Sequence, residues 1–164
     1  MIKEMMVNFF HNYSTIIVFL HILSVIIWVG GMIAIRFAVH YAIQDIDEPK
    51  IKIGKTLDFL KRFFNIVIPA IIIIAMTAGI MAIGLEFKGT PLYPIVHLKD
   101  FIWVIMTIIF IIVYKKREKA ELFFNENNFK EAKQTLQPIA KYLIPLNIVL
   151  GIFALYLGVT LRGF

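Results

Sequence analysis

The sequence predicts an all-α integral membrane protein, a four-helix bundle in a single domain over residues 1–164. Hydrophobic residues make up 60% of the chain and charged residues 17%, which leaves too little polar surface for a water-soluble domain of this size. Four mostly apolar segments reach the length of about 20 residues that a membrane-spanning helix needs. The chain has no cysteine, which excludes disulfides, thiolate metal sites and iron–sulfur clusters.

The four predicted spans cover residues 14–38, 63–84, 94–114 and 142–161. Backbone groups in lipid must be satisfied within their own segment and these runs lack period-two alternation, so we expect helices. Before the first span, apolar side chains recur every three or four positions, at Ile2, Met5, Met6, Phe9, Phe10 and Tyr13. This spacing predicts an interfacial N-terminal helical extension.

Basic residues are concentrated in two of the three connections between spans. One contains Lys50, Lys52, Lys55, Lys61 and Arg62, and the other contains Lys115, Lys116, Arg117, Lys119, Lys130, Lys133 and Lys141. The opposite side carries Lys3, Lys88 and Arg162. The positive-inside rule therefore predicts a multi-pass protein of the inner (cytoplasmic) membrane with both termini on the outer side. Charge placed in this way fits contact with a lipid bilayer and not with nucleic acid.

His21 stands in the middle of the first apolar run. An ionisable side chain is expensive in hydrocarbon, so it is expected to face the bundle interior and to pair with or bind something. On a helix, Ser24 and Trp28 share its stripe. Two interpretations stay open: a core histidine satisfied by a neighbouring carbonyl or hydroxyl, or a ligand to a metal or cofactor.

His97 opens the third span beside Lys99 and Asp100. Asp100 follows by three residues, so its carboxylate is placed to orient the imidazole. Counting about 1.5 Å per residue puts His21 roughly 10 Å and His97 roughly 6 Å inside the outer boundary. Imidazoles at compatible depth on neighbouring helices can bind the iron of a flat macrocycle from both sides. The alternative is an interfacial cluster in which Lys99 snorkels and Asp100 caps the helix.

His40 lies about 28 Å beyond His21 along a straight helix, so it cannot share the same iron. Arg36 precedes it by four residues and shares its side of the helix. The pair suits a cofactor carboxylate or a lipid phosphate. A snorkelling arginine beside a solvated histidine is the alternative.

Four short elements follow one another along about the first two thirds of the chain. They are His21-x6-Trp28-x2-Gly31, then Arg36 with His40, then Met81-Ala-Ile-Gly-Leu85, then His97-x-Lys99. In this order they resemble the HemJ-type protoporphyrinogen oxidases and the related CopD-type membrane proteins. The chain departs from the family pattern at two places. The usual Leu-Pro-Arg-Leu reads Ala34-Ile35-Arg36-Phe37 here, with the spacing from arginine to histidine one residue shorter, and no Asn-Glu-x-x-Pro element precedes the fourth span, although Asn125-Glu126 stands in the connection.

The resemblance implies a small helical membrane protein that binds haem b and passes electrons. In the HemJ case such a protein is an oxidoreductase that oxidises protoporphyrinogen IX to protoporphyrin IX. His21 and Lys99 match the functional positions of the family, with His97, Trp28, Arg36 and His40 as supporting residues.

Three functions are therefore open. The first is a haem b redox protein with His21 and His97 as iron ligands. In it Asp100 orients the His97 ring, and Lys99 is an alternative ligand or the partner of a propionate. The enzymatic form of such a protein passes electrons from a porphyrinogen to a quinone or another membrane carrier. The second is a CopD-like copper-handling protein, because copper(I) favours thioether and imidazole ligands and Met1, Met5, Met6 and His11 lie near His21 on the outer side. The third is a non-catalytic subunit of a larger membrane complex or homo-oligomer.

Overall fold

The computed structural model describes residues 1–161 of the chain; Arg162, predicted on the outer side, lies outside the described residues. Four long helices make up the fold: α1 Lys3–Gln44, α2 Pro49–Gly84, α3 Tyr93–Asn125 and α4 Phe129–Thr160. Over the described part of the chain no β-strand occurs. All four helices are long and apolar enough to cross a membrane. The fold class is thereby confirmed as all-helical, and it indicates a multi-pass membrane protein.

The helices continue well beyond the predicted spans at one end of the bundle. α1 is joined to α2 by residues 45–48 alone, and α3 to α4 by residues 126–128. All twelve basic residues named for the two connections therefore lie on helices. Pro49 starts α2, where its missing N–H is tolerated, and the side chain of Asn128 caps α4 by accepting from the backbone N–H of Glu131 at 3.3 Å.

The N-terminal extension is helical and continuous with α1, although its backbone is kinked at Tyr13 (φ −119°, ψ 16°). Phe10 packs on Gly84 at the end of α2, and Lys3 Nζ lies 2.9 Å from Glu86 Oε1 in the connection to α3. The hydrogen bond from Lys3 lowers the pKa of the Glu86 carboxyl. The start of α1 therefore lies at the same end of the bundle as the α2–α3 connection.

Within residues 1–161, three π-helical turns interrupt the α-helical geometry. Two lie in α1, at Ile26–Gly30 and Ile35–Val39, and one lies in α4, at Ile139–Leu143. The turn in α4 comes just before Pro145, which has no N–H to donate to the preceding turn. π-Turns widen a helix locally and often accompany functional sites; the first one contains Trp28 and Val29.

Aromatic and small residues set the distances between helices. Trp28 is 1% exposed and meets Phe110 of α3 edge-on, with ring centroids 6.3 Å apart. Phe110 in turn meets Phe64 of α2 at 5.3 Å. α1 and α4 touch at Val29 and Gly151, where a Cβ added to the glycine would lie 2.7 Å from Val29 Cγ2. This contact leaves no room for any side chain on Gly151.

A buried arginine of α3 joins that helix to α2 at the opposite end from the N-terminus. Arg117 is 6% exposed, and its two terminal nitrogens donate to the carboxylate of Glu121 at 2.6 and 2.8 Å. Its Nε donates to the backbone carbonyl of Leu57 at 3.3 Å. Arg117 lies in the part of α3 that extends beyond the predicted third span, and it contacts the core.

Candidate functional site: an apolar cavity beside His21

A cavity of about 270 Å³ lies among the four helices, in the half of the bundle that contains the start of α1. Its wall is mainly aliphatic. The remaining lining comprises one imidazole, one amine, two indoles and two thioethers, which belong to His21, Lys99, Trp28, Trp103, Met81 and Met106. An apolar pocket with a few convergent polar groups is the usual form of a small-molecule site.

A hydrogen bond to α2 fixes the ring of His21. The side chain is 8% exposed, and Nδ1 lies 2.9 Å from Thr77 Oγ1. The hydroxyl of Thr77 lies 2.6 Å from the carbonyl oxygen of Ile73, to which it must donate because a carbonyl only accepts. With its one proton used, Thr77 accepts from His21, so Nδ1 carries the proton.

This tautomer leaves Nε2 of His21 with a free lone pair. His21 lines the cavity whereas Thr77 does not, so the ring turns its hydrogen-bonded edge to α2 and its other edge to the cavity. A metal-ligating histidine is commonly oriented in this way, with one ring N–H held by a neighbouring acceptor and the other nitrogen available for the metal.

Lys99 brings the second nitrogen base to the cavity. Its Nζ lies 3.2 Å from the position that a Cβ on Gly158 would take, so the absence of a side chain there makes room for the amine. Lys99 is close enough to His21 and to Asp100 to interact with both electrostatically. It forms no ion pair with a carboxylate within residues 1–161.

Two indole N–H groups in the wall have no acceptor in the described part of the chain, those of Trp28 and Trp103. Trp28 and Asn147 both line a second cavity of about 10 Å³. A cavity of this size holds about one water molecule. Asn147 donates to the carbonyl of Met106 at 3.3 Å, and its Oδ1 has no donor within residues 1–161. Two unpaired indole N–H groups therefore belong to residues of the main cavity wall, and the unpaired amide oxygen belongs to a residue that lines the smaller cavity.

Of the seven predicted cofactor residues, three line the cavity: His21, Trp28 and Lys99. His97 is exposed and packs edge-on against Tyr93, with centroids 4.4 Å apart. Asp100 is also exposed. Neither lines the cavity, so the pairing of His21 with His97 as iron ligands stays a prediction.

Arg36 and His40 lie at the far end of α1 and do not line the cavity. Within residues 1–161, no group of three or more His, Cys, Asp or Glu side chains is arranged to hold a metal ion. Any metal bound at His21 would therefore depend on the single imidazole together with the amine or thioethers of the cavity wall.

Thr77, Trp103, Met81, Met106 and Gly158 were not identified as site residues from the sequence. A signal existed for Thr77, the only hydroxyl in the second predicted span. Trp103 and the two methionines are typical core residues of a span, and only the helix packing brings them to His21.

Comparison of the chain with models of known protein families, with curated proteins and with solved structures found no match.

Proposed function

We propose that the chain is a membrane redox protein that binds haem b in the cavity beside His21. The observation that carries the proposal is the hydrogen bond from His21 Nδ1 to Thr77 Oγ1, at 2.9 Å, which leaves Nε2 for the iron. The resemblance of the ordered sequence elements to the HemJ and CopD families also supports it. In this proposal both termini lie on the outer side of the cytoplasmic membrane, as the distribution of lysine and arginine predicts.

The residues present fit such a group. The cavity, at about 270 Å³, is slightly smaller than the range of about 300–1,000 Å³ for ligand pockets, but it is not closed. Three of its lining residues, Ile22 on α1 and Leu155 and Val159 on α4, are 49%, 45% and 52% exposed. The cavity therefore reaches the lipid-facing surface between α1 and α4, where a flat apolar ring can extend outward.

The roles of the side chains follow from their positions. His21 binds the iron through Nε2, and Thr77 keeps the ring in the required tautomer. Lys99, the other nitrogen base in the wall, serves as second ligand or as partner of a propionate. The aliphatic wall keeps water from the site, which lowers the local dielectric constant and strengthens electrostatic interactions there. When bound, haem b supplies a one-electron iron centre.

In the enzymatic form of this proposal, protoporphyrinogen IX donates electrons and a quinone or another membrane carrier accepts them. The resemblance to the HemJ-type oxidases supports this substrate, and the opening toward lipid suits a lipophilic carrier. An anaerobic assay with purified protein, protoporphyrinogen IX and a short-chain quinone tests it. Quinone-dependent formation of fluorescent protoporphyrin, lost in His21→Ala, supports the enzymatic form; a rate equal to that without protein contradicts it.

Variants of the nitrogen bases test the haem site itself. The wild type, His21→Ala, Lys99→Ala and His97→Ala are purified and titrated with haem b while the Soret band is followed. We expect His21→Ala to lose the specific band and Lys99→Ala to shift or weaken it, while His97→Ala, altered outside the cavity, serves as control. A band that His21→Ala leaves unchanged would overturn the haem proposal.

One observation favours a second candidate, a copper-handling protein. The thioethers of Met81 and Met106 line the same cavity as His21, and copper(I) prefers this combination of ligands. Metal analysis of the purified protein distinguishes the two candidates. Stoichiometric copper without porphyrin favours copper handling, whereas iron with extractable haem excludes it as the main role.

A further inference from the structure

We infer that Arg36, His40 and Lys52 form a binding site for the phosphate group of an anionic membrane lipid, at the end of the α1–α2 hairpin away from the cavity. Arg36 follows His21 by about 22 Å along the helix. The site is therefore separate from the proposed haem cavity, and the two can be tested independently.

The level of Arg36 in the membrane supports a lipid ligand. Residues 16–35 of α1 are apolar apart from His21 and Ser24. These 20 residues span about 30 Å, the thickness of the hydrocarbon core. Arg36 follows immediately, so its guanidinium lies where lipid headgroups begin.

Arg36 is held against the rings of its own helix. Its guanidinium carbon lies 5.9 Å from the ring centroids of both Phe37 and Tyr41, and these rings are 66% and 57% exposed. Yet Nη1 of Arg36 is buried and has no acceptor within residues 1–161. A cationic donor flanked by lipid-facing rings suits an oxyanion supplied from the membrane.

Two more basic groups lie toward the same end of α1. His40 follows Arg36 by one turn and is close enough to both Arg36 and Lys52 to interact with them electrostatically. Lys52 of α2 donates to the carbonyl oxygen of Gln44 at 2.8 Å, which holds its ammonium at the end of α1. An ammonium has further protons available for an oxyanion.

No carboxylate of the described chain forms an ion pair with Arg36 or Lys52. Asp45, Asp47 and Glu48 in the connecting turn are all exposed. Basic groups left unpaired at headgroup level are typical of anionic-lipid sites.

Thermal unfolding in neutral detergent tests the inference. The midpoint is recorded with added phosphatidylglycerol, with phosphatidylcholine of the same acyl chains, and with sodium phosphate at constant ionic strength. We expect phosphatidylglycerol to raise the midpoint of the wild type above the value in phosphatidylcholine, and sodium phosphate to have no comparable effect.

The double variant Arg36→Gln/Lys52→Gln removes two charges from the site. We expect its apparent affinity for phosphatidylglycerol, taken from the lipid dependence of the midpoint, to fall about thirtyfold. The matched control is Lys61→Gln/Arg62→Gln, which removes the same charges from exposed positions of α2 and should keep the wild-type affinity. Because each variant is compared with itself across lipids, a general loss of stability does not obscure the result.

Native mass spectrometry of protein released from mixed-lipid nanodiscs provides an independent measurement. We expect the wild type and the control variant to retain phosphatidylglycerol and the double variant to lose it. Equal effects of the two lipids on the wild type would overturn the inference, as would equal losses in both variants. A midpoint shift reproduced by sodium phosphate alone would show a site for free oxyanions and overturn the assignment to lipid.

Discussion

The hydroxyl of Thr77 on α2 accepts a hydrogen bond from Nδ1 of His21 on α1, across 2.9 Å. The direction is determined because Thr77 donates its only proton to the carbonyl of Ile73 at 2.6 Å. One bond thus joins two helices and selects the tautomer of the only histidine in the cavity wall. The imidazole of His21, which is flanked by apolar residues in the sequence, therefore has a hydrogen-bond partner in the chain and keeps Nε2 for a ligand.

Replacing Thr77 by valine tests this bond, since valine has nearly the same shape but no acceptor. We expect haem affinity to fall by about 10–100-fold, as for other partners that orient a ligating histidine. Unfolding stability should fall by about 1–3 kcal/mol because Nδ1–H is left buried without an acceptor. Titration with haem b and unfolding in mixed micelles measure the two effects.

Thr107→Val is the matched control, because the Thr107 hydroxyl bonds only to the carbonyl of Trp103 in its own helix, at 2.9 Å. It should leave haem affinity unchanged. Equal affinities for the wild type and Thr77→Val would contradict the role assigned to the bond.

Substitution by alanine should have opposite effects on stability at two glycines, one in the contact between α1 and α4 and one on α2 without close neighbours. Gly151→Ala places a methyl group 2.7 Å from Val29 and should destabilise the bundle by about 1–3 kcal/mol through overpacking. Gly79→Ala places its methyl group where nothing lies within 4 Å and should stabilise the helix by up to about 1 kcal/mol. Unfolding by titration with a denaturing detergent measures both, and a stability unchanged in Gly151→Ala would count against the close contact.

Arg117→Met should destabilise the protein by about 1–3 kcal/mol, because it removes charge-assisted bonds to Glu121 and to the carbonyl of Leu57. Arg62→Met is the control. Arg62 pairs with Asp58 at 3.1 Å on the surface, with side chains 77% and 54% exposed, and such pairs contribute about 0–1 kcal/mol. Similar losses of unfolding free energy in the two variants, measured by the same titration, would show that the buried arginine stabilises the protein no more than an exposed ion pair does.

The absence of cysteine makes the proposed orientation directly testable. Lys88→Cys lies in the α2–α3 connection, and Asn127→Cys in the α3–α4 connection at the other end. We expect a membrane-impermeant maleimide to label Lys88→Cys in intact cells and Asn127→Cys only after permeabilisation. The reverse pattern would place both termini inside.

The coarse fold could be predicted from the sequence because hydropathy and length alone identify helices that can span a bilayer. The end of α1 and the start of α2 could not, since the residues around Lys52 are polar but still helical, and propensity does not separate a helical extension from a loop. Helix packing also decides which side chains meet. Counting depth along single helices paired His21 with His97, whereas the structure brings Lys99, Met81 and Met106 to the same cavity.

The reduced-minus-oxidised absorption spectrum of the purified protein, with wild type and His21→Ala side by side, tests the central claim most directly. The proposal predicts a Soret band and α-band of haem b in the wild type, at close to one haem per chain, and their loss in His21→Ala. A wild-type protein that neither contains nor takes up haem, or one whose spectrum His21→Ala leaves unchanged, would contradict it.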